Sequence, residues 1–272
     1  MSTPNNQEVL KRNNVSVKGK GNRPIIFAHG YGCDQNMWRY VFPAFLDDYK
    51  VILFDHVGAG NSEESYYNKE KYDSLQGYAD DILEICHALD LKDVILVGHS
   101  VSAMIAVLAA NSNPAIFSNI IMVGPSPCYI NNNGYKGGFE QEDIEQLIEA
   151  LESNYLGWAS QMAPVIMGNE EKPELGEELT NSFCRTNPEI AKHFARVTFY
   201  GDNRDDLKKL KTPTLIIQCQ QDVIAPLEVG EYVYNNTENS SFRIINATGH
   251  CPNLSAPEAT IEAIKTYLEE AD

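Results

Sequence analysis

Short apolar runs rich in β-branched residues alternate with helix-patterned stretches along this chain, and no other feature narrows the possible folds so far. The runs fall at residues 24–28, 51–55, 94–98, 120–124, 214–219 and 242–246, with an edge strand near 15–18. Continuous apolar runs bounded by turn residues are what strands covered on both faces look like. Between them the patterning predicts helices at 36–46, 75–89, 103–110, 226–234 and 257–270. This alternation gives an α/β protein: a mostly parallel central sheet with helices on both faces.

The rhythm breaks between about residues 127 and 200. That segment opens in a Gly/Asn-rich loop, Asn131-Asn132-Asn133-Gly134-Tyr135-Lys136-Gly137-Gly138, and continues in helical patterns such as 142–151. It reads as a helical insertion after the sixth strand, lying over the carboxyl ends of the strands, where open α/β sheets bind ligands. The expected organisation is a core of residues 1–126 and 201–272 with a cap, residues 127–200, walling a pocket. A chain of 272 residues suits one such domain.

A formal net charge of −17 opposes binding to nucleic acid or to an anionic membrane, because repulsion replaces the counterion release that drives such association. The polar start, MSTPNNQEVLKRNNV, lacks the apolar core of a signal peptide, which predicts a cytoplasmic address. The six cysteines, Cys33, Cys86, Cys128, Cys184, Cys219 and Cys251, are scattered without a C-x-x-C pair or metal-ligand spacing. They read as reduced, mostly packed thiols. Neither a metal nor an organic cofactor is implied.

The stretch Gly98-His99-Ser100-Val101-Ser102 joins the strand at 94–98 to the helix at 103–110. It matches the nucleophile elbow G-x-S-x-G except that serine replaces the last glycine. The elbow needs small residues at both ends because strand and helix approach closely, and Ser102 is small. A plainer reading, Ser100 as the N-cap of the next helix, fits the pentapeptide equally well.

A serine hydroxyl needs a base, and the base needs a carboxylate to fix its tautomer. On an elbow of this kind the partners follow in the order Ser, Asp or Glu, His, each after a late strand. Asp222 stands just past the strand at 214–219, and His250 in the loop after 242–246, ahead of the final helix. His29, His56 and His99 also lie at strand ends but not after the last strand; His87 falls in a helix and His193 in the insertion. The order favours Ser100, Asp222 and His250 as catalytic residues. For the oxyanion hole, the expected backbone donors are Val101, next to the nucleophile, and Tyr31 in the Gly-rich loop His29-Gly30-Tyr31-Gly32.

At these residues the chain resembles the α/β-hydrolases, within the branch that contains the bacterial sigma-B regulator RsbQ and the plant karrikin and strigolactone receptor hydrolases. The resemblance runs nearly end to end. It rests on Phe27-Ala28-His29-Gly30-Tyr31-Gly32-Cys33-Asp34-Gln35, Val51-Ile52-Leu53-Phe54-Asp55, Gly98-His99-Ser100-Val101-Ser102-Ala103, Met122-Val123-Gly124-Pro125-Ser126-Pro127-Cys128-Tyr129 and Gly249-His250-Cys251-Pro252. The plant members also carry serine at the last elbow position. Through the cap, Tyr155-Leu156-Gly157-Trp158-Ala159 and Ser182-Phe183-Cys184 are more similar to the bacterial regulator.

The resemblance implies an α/β-hydrolase fold with a four-helix cap over a mostly hydrophobic pocket, Ser100, Asp222 and His250 as a triad, and Tyr31 and Val101 as oxyanion donors. It also implies a positive regulator of the general stress sigma factor pathway, handling a small hydrophobic molecule and working with a PAS-domain phosphatase. The leading expectation is therefore a serine hydrolase of a small apolar ester or lactone. The alternatives are a ligand-binding signalling module with incidental turnover, a general carboxylesterase, and a hydrolase of the same fold with carbon–carbon cleavage or cofactor-free peroxidation chemistry. Tyr129, Phe139, Trp158, Phe183, Phe194 and Phe199 are available either to line the pocket or to fill the cap's own core.

Overall fold

The apolar runs become strands whose burial follows their composition. The structure, a computed structural model, describes residues 5–271. Its strands are Ser16–Lys18 (β1), Arg23–Ala28 (β2), Tyr49–Leu53 (β3), Val94–His99 (β4), Phe117–Val123 (β5), Thr214–Gln221 (β6) and Ser240–Thr248 (β7). They form one seven-stranded sheet in the order β1-β3-β2-β4-β5-β6-β7. Only β1 runs antiparallel, against β3. Every residue of β4 is buried, which is why its sequence is apolar without alternation.

The helices are Asn6–Arg12 (α1), Leu75–Ala88 (α2), Val101–Ser112 (α3), Gln141–Ser153 (α4), Tyr155–Met167 (α5), Pro173–Arg185 (α6), Pro188–Phe199 (α7), Arg204–Leu207 (α8), Leu227–Asn236 (α9), Pro252–Ser255 (α10) and Pro257–Ala271 (α11). One core joins α2 and α3 to a face of the sheet through Ile82, Ile85, Ile105 and Ile120. A second joins α11 to the other face through Val97, Ile121, Ile217 and Ile264. This is the α/β-hydrolase architecture, with α4 to α7 as cap helices around their own cluster of Ile144, Leu151, Trp158 and Phe183. No helix among the described residues is long and apolar enough to cross a membrane.

The structure differs from the sequence reading in three places. The helix expected at 36–46 is two short 3-10 turns, Gln35–Trp38 and Phe42–Phe45. Pro43 explains this: inside an α-helix its ring would clash with the carbonyl four residues back. Trp38, Val41 and Phe45 still pack beneath the sheet, so the apolar pattern was real while the helix was not. The cap follows the fifth strand and not the sixth, since β1 to β5 precede α4 among the described residues. Finally, α1 was not foreseen: it has little apolar surface of its own, and Arg12 ties it to α2 through Asp81 at 3.0 Å and Glu84 at 2.7 Å.

Candidate active site

The strand order decides where the site forms. From β3 the chain crosses β2 and enters β4 on the other side, so β2 and β4 flank the point where the winding reverses and ligands bind. Ala28 of β2 is in register with Gly98 of β4, and the loops that leave these strands therefore start side by side.

Ser100 turns the chain from β4 into α3 with φ 57° and ψ −123°, a left-handed conformation that costs a serine strain. It occupies the N-cap position, yet its side chain makes no capping bond. The hydroxyl instead donates to His250 Nε2 at 2.7 Å. The capping bond that the plainer reading of the pentapeptide requires is therefore absent. Close approach is also real: a Cβ on Gly98 would lie 2.3 Å from the Ser102 carbonyl oxygen.

His250 follows β7 on a loop turned by Gly249 at φ 88°. Its Nδ1–H donates to Asp222 Oδ2 at 2.7 Å. The other carboxylate oxygen accepts the N–H groups of Ile224 and Ala225 at 2.8 and 3.0 Å, so Asp222 is fixed before it meets the imidazole. All three side chains are buried, with residues only 6% (Ser100), 4% (His250) and 9% (Asp222) exposed. The structure thus brings together the three residues that the sequence order singled out. Val101 and Tyr31 also fall beside Ser100, the first as the opening residue of α3, where an N–H has no partner within its own helix.

Three histidines that the sequence reading set aside shape this site. His29 Nε2 accepts the backbone N–H of His56 at 3.0 Å, which leaves Nδ1 as the protonated nitrogen. That Nδ1–H donates to the Gly30 carbonyl at 2.9 Å. Because a peptide is planar, fixing the Gly30 carbonyl also fixes the direction of the Tyr31 N–H. His99 Nε2 lies 2.7 Å from the His250 carbonyl and holds the histidine loop. Burial pushes His99 down to about 3. It pushes His56 well below its ordinary value too. Ser102 was expected only to be small, yet its hydroxyl donates to the His29 carbonyl at 2.5 Å. A histidine at the end of a buried strand was the available signal, but the partners come from three separate strands.

Ser100 lines a small cavity of about 40 Å³, together with Tyr129, Leu179, Phe183, Phe199 and Ile224 among others. That is room for a few waters. Of the aromatics offered by the sequence, Tyr129, Phe183 and Phe199 face the cavity, whereas Trp158 stacks behind Phe183 and Phe194 stacks on Tyr78 in the core. Thr198 also lines the cavity, and its hydroxyl is buried without a hydrogen-bond partner. Cys33 and Cys251 line it as well, and burial raises both thiols, which disfavours a thiolate nucleophile here. Cap helices reach the reacting loops directly: Ser182 of α6 donates to the Gly32 carbonyl at 2.8 Å, and the His250 N–H donates to Ile166 of α5 at 2.9 Å.

Comparison with known proteins places this geometry. A model of the alpha/beta hydrolase family matches residues 25–263. A karrikin insensitive 2 receptor of Petunia hybrida is 37% identical over 96% of this chain and 97% of its own length. A strigolactone esterase of Arabidopsis thaliana is 35% identical with the same coverage of both chains. The solved structure of a hydrolase from Oleispira antarctica is 41% identical, covers 99% of each chain and superposes with a TM-score of 0.96.

Proposed function

The chain belongs to the alpha/beta hydrolase family, in a branch with plant karrikin insensitive 2 receptors and strigolactone esterases, and on that premise we propose that it is a serine hydrolase of a small, largely apolar ester or lactone. One observation carries the reading: a strained serine whose hydroxyl donates to a carboxylate-held imidazole beside a small, mostly apolar cavity.

In this reading Ser100 attacks the carbonyl carbon while His250 Nε2 takes its proton. Asp222 accepts the Nδ1–H and stabilises the imidazolium that results. The oxyanion is met by the N–H groups of Val101 and Tyr31. His250 then returns the proton to the departing alkoxide, and the same base activates water to release the acyl group. Thr198 offers an unpartnered hydroxyl to a second oxygen of the substrate, as a lactone would supply.

Turnover of 4-nitrophenyl acetate and intact-mass labelling by a fluorophosphonate test the proposal. Ser100→Ala is expected to lose both activities while keeping its circular dichroism, and retained turnover in that variant rejects the nucleophile. Rapid multiple turnover supports an ordinary esterase. Slow cleavage with a long-lived adduct on Ser100 supports a second reading, a ligand sensor, which the receptor names of the plant relatives favour. The regulatory role, positive control of the general stress sigma factor with a PAS-domain phosphatase, is supported by the cap segments around Trp158 and Phe183 alone. Direct binding of the purified chain to such a phosphatase tests it.

A further inference from the structure

Ser102 and His56 form a buried hydrogen-bonded pair outside the Ser100–His250–Asp222 relay. The Ser102 hydroxyl has one proton and gives it to the His29 carbonyl at 2.5 Å. His56 Nε2 lies 2.8 Å from the same oxygen, so this nitrogen carries a proton and donates. His56 is therefore the Nε2–H tautomer, and its Nδ1 is left as a buried lone pair with no partner. The ring packs edge-on to His29, Phe54 and Tyr78 at centroid distances of 4.7, 5.1 and 5.5 Å. An orphaned buried nitrogen destabilises a fold, so the contact made by the other nitrogen calls for an account.

That account lies in what the hydroxyl joins. Ser102 is one residue past Val101 on α3, and His29 is two residues before Tyr31 on the loop after β2. A single oxygen thus ties together the two segments that carry the candidate oxyanion donors. We propose that Ser102, held in orientation by His56, positions the Val101 and Tyr31 N–H groups relative to one another. The pair touches no reacting atom and acts through the backbone it fastens. A glycine at position 102 would leave the same space but no tie, so the elbow of this chain replaces a purely steric solution with a hydrogen-bonded one. The inference rests on the serine-hydrolase reading above.

The test compares wild type with Ser102→Ala, Ser102→Gly, His56→Phe and His56→Gln, the last keeping an N–H donor near the position of the ring Nε2. Each is assayed for 4-nitrophenyl acetate turnover and for inhibition by phenylboronic acid, whose tetrahedral serine adduct places an oxygen in the oxyanion hole. In both Ser102 variants kcat is expected to fall about tenfold or more with KM within about twofold, and boronate affinity to fall by a matching factor. His56→Phe should show a smaller loss of the same kind, and His56→Gln should restore kcat toward wild type. Wild-type kcat in the Ser102 variants overturns the proposal, as does a loss of kcat without a parallel loss of boronate affinity. Should the Ser102 variants not fold, equal kcat in wild type, His56→Phe and His56→Gln overturns it. A wild-type protein that neither turns over ester nor is labelled at Ser100 rejects the hydrolase reading itself, and the pair's role falls with it.

Discussion

A serine at φ 57° is held against its own backbone preference, at a cost of about 1–3 kcal/mol. The surrounding sheet and helix impose that cost, and the turn directs the hydroxyl to His250. Asp222 shows the same economy of position, with one oxygen on two backbone N–H groups and the other on the imidazole. Asp222→Asn is expected to keep the first set of contacts through its amide oxygen while presenting an NH₂ to His250. The imidazole must then carry its proton on Nε2, where it cannot accept one from Ser100. We expect kcat to fall by about 10³–10⁴ with little change in melting temperature, measured by steady-state esterase assay and thermal denaturation. Ser100, Asp222 and His250 were legible in the sequence because their order along the chain is itself a constraint. The roles of His29, His56, His99 and Ser102 were not, since each depends on a partner in a loop or helix that follows a different strand.

At the scale of elements, β4 and α3 cross at very close range. A Cβ at Gly98 meets the Ser102 carbonyl at 2.3 Å, an atom of the backbone that cannot rotate away. Gly98→Ala is therefore expected to destabilise the protein by about 3 kcal/mol, read as a lower midpoint in urea unfolding. This need was visible in the pentapeptide, because close packing of strand on helix is a local property of an elbow. The stretch at 36–46 was misread for the opposite reason. Its apolar spacing suits a helix, but Pro43 breaks the hydrogen-bond ladder, and buried Trp38 and Phe45 are served equally well by two short turns. Likewise α1 is set by buried ion pairs to α2, which no local pattern announces.

At the scale of the whole molecule, the cap narrows the cavity beside Ser100 to about 40 Å³. Phe183 and Phe199 of the cap line this narrow space, and longer acyl chains demand more displacement of them. Across a series of 4-nitrophenyl esters, kcat/KM for acetate is expected to exceed that for octanoate by about tenfold or more. Acid stability is also a property of the whole fold. Burial lowers His29, His56 and His99 from their ordinary 6.5, His99 to about 3. On unfolding each takes up a proton as the pH falls below about 6.5, whereas the folded protein does not. Stability is thus fully present above that pH and is lost as pH falls toward the folded values, at up to ~1.4 kcal/mol per unit per histidine. Melting temperatures are expected to drop steadily from about pH 7 to pH 4.5, and His99→Gln to flatten that slope.

The sequence by itself determined the layered α/β architecture, the presence of a helical insertion between strands, and the identity and order of the residues at the strand ends. Those properties are written locally, in apolar runs, turn residues and one strained elbow. Only the tertiary structure decided that three distant loops meet within hydrogen-bond reach, which aromatics face the cavity, and which nitrogen of each buried histidine carries its proton. Such outcomes depend on strand register and on neighbours far away in the chain, and a linear pattern holds no distance between them.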